Sequence, residues 1–445
     1  YYLLAPFYWV TGGSSIGLSL GALAINGASV VGMGLIAKRR AGTAAMAATF
    51  LGTALLMRTL GAEFLGDFWN TFITVMPFGL LAFLTWSMLD GDRWALPIGV
   101  FVATFLAQTH VGFVVLALLL LALGGAGLVL SARRDGGPEW WRTLVRPGLV
   151  SGALGSLLWL PPLIDLATGP PRNLVNAVRW FRTTDGTPHT MLDGLRVIGG
   201  QFGIRPEWAT TKVAPNVLDG QSPYLADPIV PWTLLAVIAG AVVLWRRGGT
   251  GRHLVVVTAA TVAVGVLAVA RTVGPAFQYR LLWTHIPALV AFVVVALAAW
   301  RLLSSRAPAA RRGVTAVVAV ALLVLTGVNV VTAATAGVPN PAETAAMSSV
   351  SSQVLDHVGD TEGTVLVSDP YSGAAWYARG IVLQLEKEGI DAAVPPERTW
   401  EAAEHRVHRG GPVAVRLVVV MNGGGDPVAG QSGPCPDRRV VGRQR

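Results

Sequence analysis

The residues of this chain best suited to chemistry sit where apolar sequence is interrupted. Gln108-Thr109-His110 breaks an apolar run that extends from 95 to 130. A histidine in such surroundings is costly unless it meets a partner or water. It marks either a polar cavity that binds a ligand or a turn in which the ring bonds a neighbouring carbonyl. The segment Arg271-Thr272-Val273-Gly274-Pro275-Ala276-Phe277-Gln278-Tyr279-Arg280 is the second candidate. A guanidinium is a planar fork matched to phosphate oxygens. Beside apolar helices, Arg271 and Arg280 suit the phosphate of a lipid-linked molecule, with Tyr279 between them. The competing role is snorkelling of both arginines to lipid headgroups.

Carboxylates form the third set. Glu63, Asp67 and Asp165 flank apolar stretches, and each is a candidate base or metal ligand. Singly, each also reads as a solvated helix end. Asp165 directly follows Trp159-Leu160-Pro161-Pro162-Leu163-Ile164 and emerges where that apolar stretch stops. His189 with Asp185 and Asp193, and His405 with His408, have the residue types of metal ligands without a diagnostic spacing. Cys435 is the single cysteine, so no disulfide framework or cysteine metal site exists. No glycine-rich loop follows a strand, and neither a nucleophile elbow nor a zincin helix is present. ATP-driven transport is therefore unsupported.

The elements that position these residues are apolar helices. Of 445 residues, 53% are hydrophobic and only 13% charged, against about 25% charged in a soluble domain. Ten stretches are nearly free of charge: 16–36, 43–60, 71–89, 95–107, 110–130, 148–164, 229–245, 253–270, 282–300 and 314–333. Most approach the roughly 20 residues that span a bilayer core. The stretch 95–107 predicts a short helix, and the polar turn after it is tolerated where it lines a cavity or is buried in protein. Basic clusters lie between alternate pairs: Lys38 to Arg40, Arg133 and Arg134 with Arg142 and Arg146, Arg246 and Arg247 with Arg252, and Arg301 through Arg312. Basic residues in short loops stay cytoplasmic. Threading the ten stretches in order puts all four clusters on that side. The net charge of +9 thus reads as membrane orientation, and nucleic acid is not expected as a partner.

The same threading places 165–228, the hairpin 271–281 and everything beyond 334 outside the cytoplasm. The domains expected are a multi-helix membrane domain over 1–333, an extracytoplasmic α/β module over 334–424 and a disordered tail over 425–445. Within 165–228, Asn173 to Phe181 predicts an amphipathic helix on the membrane surface, with Leu174, Val178 and Phe181 on one face. In the module, 364–367 and 413–421 predict strands, and 373–388 predicts a helix carrying Trp376, Leu383 and Leu385. Residues 1–15 predict an interfacial aromatic segment ending in a helix-start signal at Thr11 to Ser15. Because the chain opens on Tyr1-Tyr2-Leu3-Leu4-Ala5-Pro6-Phe7-Tyr8-Trp9, it reads as the interior of a protein, with an N-terminal portion expected upstream. Its Ala, Gly, Val and Arg usage is that of a high-GC bacterium.

The layout resembles the GT-C class of membrane glycosyltransferases, in particular actinobacterial members that act on cell-envelope glycans. The resemblance rests on the aromatic-proline segment Tyr1 to Tyr8, on Gln108-Thr109-His110-Val111-Gly112 between two helices, and on Trp159 to Asp165 followed by a loop with Pro170 and Asn173. It extends over nearly the whole chain. It implies transfer of a sugar from a polyprenyl-phosphate donor to a glycan, lipid or protein acceptor outside the cytoplasm. It also implies that Arg271 and Arg280 lie on the phosphate side and that His110 and Gln108 line the donor cavity, with Tyr279 and Asp165 nearby. The catalytic carboxylate of such enzymes lies in a first outer loop, expected upstream of Tyr1. No cofactor is fixed by the resemblance, and a divalent metal is compatible with it. Two other classes stand beside this one. A lipid-linked glycan flippase or other transporter would show matching broken helices in two halves, whereas only the break at 108–110 is evident. A membrane scaffold presenting the C-terminal module is the third.

The orientation argument is open to direct test. With Cys435 replaced by serine, a cysteine introduced at Ser372 should be labelled from outside intact cells, and one at Ala309 should be spared. The reverse pattern would end the extracytoplasmic placement of the C-terminal region.

Overall fold

A computed structural model describes residues 2–61, 64–135, 137–168, 173–183, 186–210, 220–335, 341–359, 361–369, 375–398 and 404–419. The chain divides into two compact units, Tyr1–Pro161 with Thr183–Ala336 and Pro162–Arg182 with Gly337–Arg445. In the first unit, α1 (Ala5–Val10) leads into α2 (Ser15–Ala41), whose first turn is capped by the Ser14 hydroxyl accepting from Ile16 N–H. Next come α3 (Thr43–Leu60), α4 (Val75–Leu89), α5 (Ala95–Thr109), α6 (Phe113–Asp135) and α7 (Arg142–Thr168). The amphipathic α8 (Asn173–Thr183) lies where its sequence pattern predicts, and its residues 173–182 belong to the second unit. Shorter helices α9 (Met191–Gly200), α10 (Glu207–Thr210) and α11 (Pro223–Ala226) occupy the long loop, and α12 (Thr233–Arg247), α13 (Thr250–Ala270), α14 (His285–Arg306) and α15 (Ala310–Ala334) complete the set.

Each of the ten apolar stretches falls within or largely within one of these helices. Among the described residues, seven helical segments are long and apolar enough to cross a membrane, and α4 and α5 are shorter apolar helices. The chain is an α-helical membrane protein. At 15 residues, α5 extends about 22 Å, less than the roughly 30 Å hydrocarbon core.

Burial shows which helices form the centre. Nearly every residue of α4 from Val75 to Met88 is buried, including Phe78, Phe83 and Trp86. A helix apolar on all sides belongs in the middle of a bundle. The first half of α14 is buried in the same way. By contrast, α15 presents no buried residue and is tied to α3 by Asn329 Nδ2 donating to the Ala54 carbonyl at 2.9 Å. Hydroxyls inside the helices are satisfied locally. Thr49, Thr53, Thr85 and Thr258 each donate to the carbonyl four residues earlier, which removes the cost of an unpaired hydroxyl in hydrocarbon.

Contacts at the helix ends gather the basic clusters at one end of this unit. Arg40 closes α2 and bonds Asp90 at 3.1 Å, Asp92 at 2.7 Å and the Ser87 hydroxyl at 3.0 Å, all at the α4–α5 turn. His253 on the first turns of α13 bonds Asp90 at 3.0 Å. Gly91 of the same turn backs onto Ser131 near the end of α6. Arg247 at the end of α12 donates to the Arg301 carbonyl and the Ser305 hydroxyl at the end of α14, at 3.0 Å each. The α5–α6 turn and the α13–α14 connection close the helices at the opposite end.

In the second unit, α16 (Pro341–Val358) and α17 (Ala375–Lys387) accompany strands β1 (Thr364–Ser368), β2 (Ala392–Ala393) and β3 (Val413–Val418). The sheet is parallel in the order β2-β1-β3. Val365, Val367, Ile381 and Leu385 lie in its core. Leu383, by contrast, is exposed. The Trp376 side chain, Gly373 and the tail beyond Val419 lie outside the described residues.

The Arg40 cluster is the strongest polar tie of the first unit, since Arg40, Asp90 and Asp92 side chains are only 11%, 15% and 10% exposed. Removing one partner from a buried ionic group strands the other at a cost of about 3 kcal/mol or more. Arg40→Met should therefore lower the thermal midpoint of the detergent-solubilised protein, with Arg40→Lys recovering part of the loss. A midpoint unchanged in both variants would show a surface pair of little worth.

Candidate functional site

The site is built where the α5–α6 turn meets the segment before α14. His110 leaves the helix in an extended conformation and caps the end of α5. Its Nδ1 accepts from the Gly112 N–H at 3.1 Å, and its ring packs edge-on against Phe113 at 6.0 Å. Gln108 donates to the Leu158 carbonyl of α7 at 2.9 Å. The polar triplet is thus partly satisfied by backbone, as a turn requires, while Nε2 of His110 is left for other partners. The charge of Arg280 acts on the imidazole, so the structure brings His110 and Arg280 into one neighbourhood.

Arg280 lies on a 3-10 helix, Gln278–Thr284. Its Nε donates to the Tyr279 hydroxyl at 3.1 Å, and its guanidinium lies over the rings of Phe277 at 5.3 Å and Tyr279 at 5.5 Å. Tyr279 in turn stacks on Trp69 at 4.8 Å. Among the described residues, Arg280 pairs with no carboxylate. A half-buried, ring-stacked cation with its outer nitrogens uncommitted is suited to a planar anion. Asp67 stands on the same loop as Trp69 and accepts from the Trp69 N–H at 2.8 Å. Burial raises its carboxyl above the usual range, offset in part by that bond.

The other sequence candidates lie apart. Arg271 ends α13 and is exposed, and no contact among the described residues joins it to Arg280. Asp165 belongs to the second unit, where it accepts from the Asn173 N–H at 2.7 Å and so holds the start of α8. His189 bonds the Gly274 carbonyl at 3.0 Å and fixes the loop before α9 to the 271–277 connection. Asp193 is committed to a capping box with Thr190. Among the described residues, no group of three metal-ligating side chains converges. Glu63, Asp185 and Pro170 lie outside the described residues.

Behind Arg280 lies a buried polar network that the sequence reading passed over. In a 3-10 helix, residues three apart share a face. Arg280 and Trp283 therefore share one face, and Trp283 packs against Phe78 and Phe113 beneath His110. Gln278, Leu281 and Thr284 share another. Gln278 donates to Glu207 of α10, which also accepts from the Tyr224 hydroxyl of α11. Gln201 Oε1 accepts from His285 Nδ1–H at 2.9 Å, and Gln201 Nε2 donates to the Thr284 hydroxyl at 3.4 Å. These side chains line a cavity of about 10 Å³, room for a single water. The imidazole Nε2 of His285 meets no partner among the described residues. Two signals were present in the sequence. His285 interrupts the apolar stretch 282–300 just as His110 interrupts its own, and Thr190-Met191-Leu192-Asp193 is a helix-start pattern. Close approach seats α9, since a Cβ on Gly194 would meet the Val266 carbonyl at 2.3 Å.

Burial pushes the Glu207 carboxyl above its ordinary value of 4.5, and bonds from Tyr224 and Gln278 oppose the shift. A carboxyl raised in the folded state holds its proton more tightly there than in the unfolded chain. Its burial penalty is therefore absent below pH 4.5 and grows as pH rises through the window up to the folded value. The wild-type thermal midpoint should gain on Glu207→Gln as pH falls through the window from the folded value down to 4.5. A constant difference between the two proteins across the range would show that Glu207 is ionised in the fold.

Comparison with known protein families, curated proteins and solved structures finds no match, so the functional reading rests on this geometry and the residues that form it.

Proposed function

We propose that the protein is a membrane glycosyltransferase that takes a sugar from a polyprenyl-phosphate donor and passes it to an extracytoplasmic acceptor in cell-envelope biogenesis. The observation that carries this reading is Arg280, lying over the stacked rings of Phe277 and Tyr279 in the neighbourhood of His110 and paired with no carboxylate among the described residues. It lies at the end of the helix bundle opposite the basic clusters, next to apolar helices that would accommodate a prenyl chain. In this reading the guanidinium binds the donor phosphate and stabilises the charge that grows as the glycosyl bond breaks. His110 and Gln108 border the sugar, and Tyr279 orients the guanidinium. Ten spans, with the basic end cytoplasmic and residues beyond 334 extracytoplasmic, complete the arrangement. Trp69, stacked on Tyr279, gives a sugar ring an aromatic wall.

Binding is the cleaner test, because it does not depend on the chemical step. Purified protein should retain a short-chain polyprenyl phosphate. Arg280→Ala should weaken that retention about tenfold, or about 1.4 kcal/mol, and Arg280→Lys should restore only part, because a point charge lacks the fork. His110→Ala should lower sugar transfer while leaving accumulation and membrane insertion intact. Equal retention by Arg280→Ala and wild type would identify Arg280 as a snorkelling residue and remove the basis of the reading.

A further inference from the structure

At the basic end of the first unit, the ends of α2, α12 and α14 enclose a cleft of about 360 Å³ lined by Arg247, Trp300, Arg301, Ser304 and Ser305. Its chemistry differs from that of an ordinary orientation signal. An orientation signal needs only basic charge near a helix end, on any exposed side chain. Arg133 and Arg134 meet that need as surface residues on the last turn of α6. Arg247 instead is fixed across the cleft by bonds to the Arg301 carbonyl and the Ser305 hydroxyl. Arg301 stands beside it as a second guanidinium in the same wall. Arg311 lies over the Trp300 ring at 5.3 Å and adds a third. Among the described residues, no acidic side chain pairs with any of the three. The acids of this end, Asp90 and Asp92, are committed to Arg39, Arg40 and His253. Ser304 lines the cleft, and its buried hydroxyl has no hydrogen-bond partner among the described residues.

Like charges held side by side with an unused hydroxyl call for an anion with several acceptor oxygens. A phosphate group supplies them. The position of the cleft decides between a free ion and a lipid. It opens where the apolar helices α12 and α14 end in basic residues, the place where such helices meet lipid headgroups. The helix that delivers Arg247 also exposes Leu235, Ile238, Val242 and Trp245 along its length, an apolar surface for an acyl chain. Basic pockets between transmembrane helices on the cytoplasmic side hold anionic headgroups in this way. We propose that this cleft binds the phosphate headgroup of an anionic phospholipid. The site is separate from that at Arg280 and does not rest on the reading given above.

The probe is phosphatidylglycerol titrated onto the full detergent-solubilised chain, read by native mass spectrometry and by thermal midpoint. Phosphatidylcholine and inorganic phosphate are run in parallel. One lipid should be retained and the midpoint raised with phosphatidylglycerol alone. The pair Arg247→Gln and Arg301→Gln should weaken retention about tenfold or more, whereas Arg133→Gln with Arg134→Gln, an equal change in charge, should leave it intact. Equal loss in both pairs would reduce the effect to bulk charge and overturn the proposal. An equal rise in midpoint with inorganic phosphate would overturn the lipid assignment. Ser304→Trp fills the cleft and keeps every charge, so it serves even if the double arginine variant fails to fold. Undiminished retention in Ser304→Trp would likewise overturn the proposal.

Discussion

Everything in the first unit follows from one constraint: inside hydrocarbon, each polar group must find its partner within the protein. Helices satisfy their own backbones, and threonines within them return their hydroxyls to carbonyls one turn back. Charge is then admissible only at the helix ends. At one end it becomes the Arg40, Asp90, Asp92 and His253 cluster, which ties α2, the α4–α5 turn and α13 together. At the other it becomes the polar layer around Glu207, Gln278 and Gln201. The apolar middle, with α4 buried on nearly all sides, supplies packing and leaves the chemistry to the ends.

The 3-10 segment Gln278–Thr284 shows how one end becomes specific. Its three-residue repeat sends Gln278 and Thr284 toward the buried network and aims Arg280 and Trp283 at the His110 turn. An α-helix would turn Trp283 about 60° away from Arg280 and Thr284 about 120° away from Gln278, which would loosen the alignment of each pair. The bond from Gln278 to Glu207 therefore acts on the pose of Arg280, although Glu207 itself touches neither His110 nor the guanidinium. Polar satisfaction in the loop and geometry at the candidate site are two consequences of the same short element.

Much of this was legible in the sequence, for identifiable reasons. The apolar stretches required helices because uncharged runs of that length have no other stable form in a bilayer, and all ten fall in helices. The amphipathic pattern of Asn173 to Phe181 was equally direct. The proximity of His110 to Arg280 was only suggested, since 170 residues separate them and no local pattern encodes it. Arg271 and Arg280 looked equivalent in the linear chain. Their separation comes from fold geometry, which leaves Arg271 exposed on the end of α13 and carries Arg280 into aromatic cover. Asp165 looked like a free acid but closes the start of α8. Glu207 gave no warning, because one glutamate in a polar loop has no periodicity. Only the three-dimensional approach of α10 and α11 to the 3-10 segment buries it.

The position of Arg280 also bears on how a cation survives at an end that orientation disfavours. Basic residues collect at the opposite end, and a guanidinium away from them works against the charge asymmetry that orients the helices. Three features offset that cost. Stacking on Phe277 and Tyr279 replaces part of the lost hydration with ring quadrupole. The Tyr279 hydroxyl accepts one N–H. The remaining donors stay directed away from the rings, where a bound anion would complete their hydrogen bonding. A residue serving only to anchor the helix end would be accommodated as Arg271 is, exposed and unconstrained. The ordered aromatic cradle, extended through Tyr279 to Trp69 and Phe72, fixes the direction of the fork, and direction matters only when something of defined shape must be met.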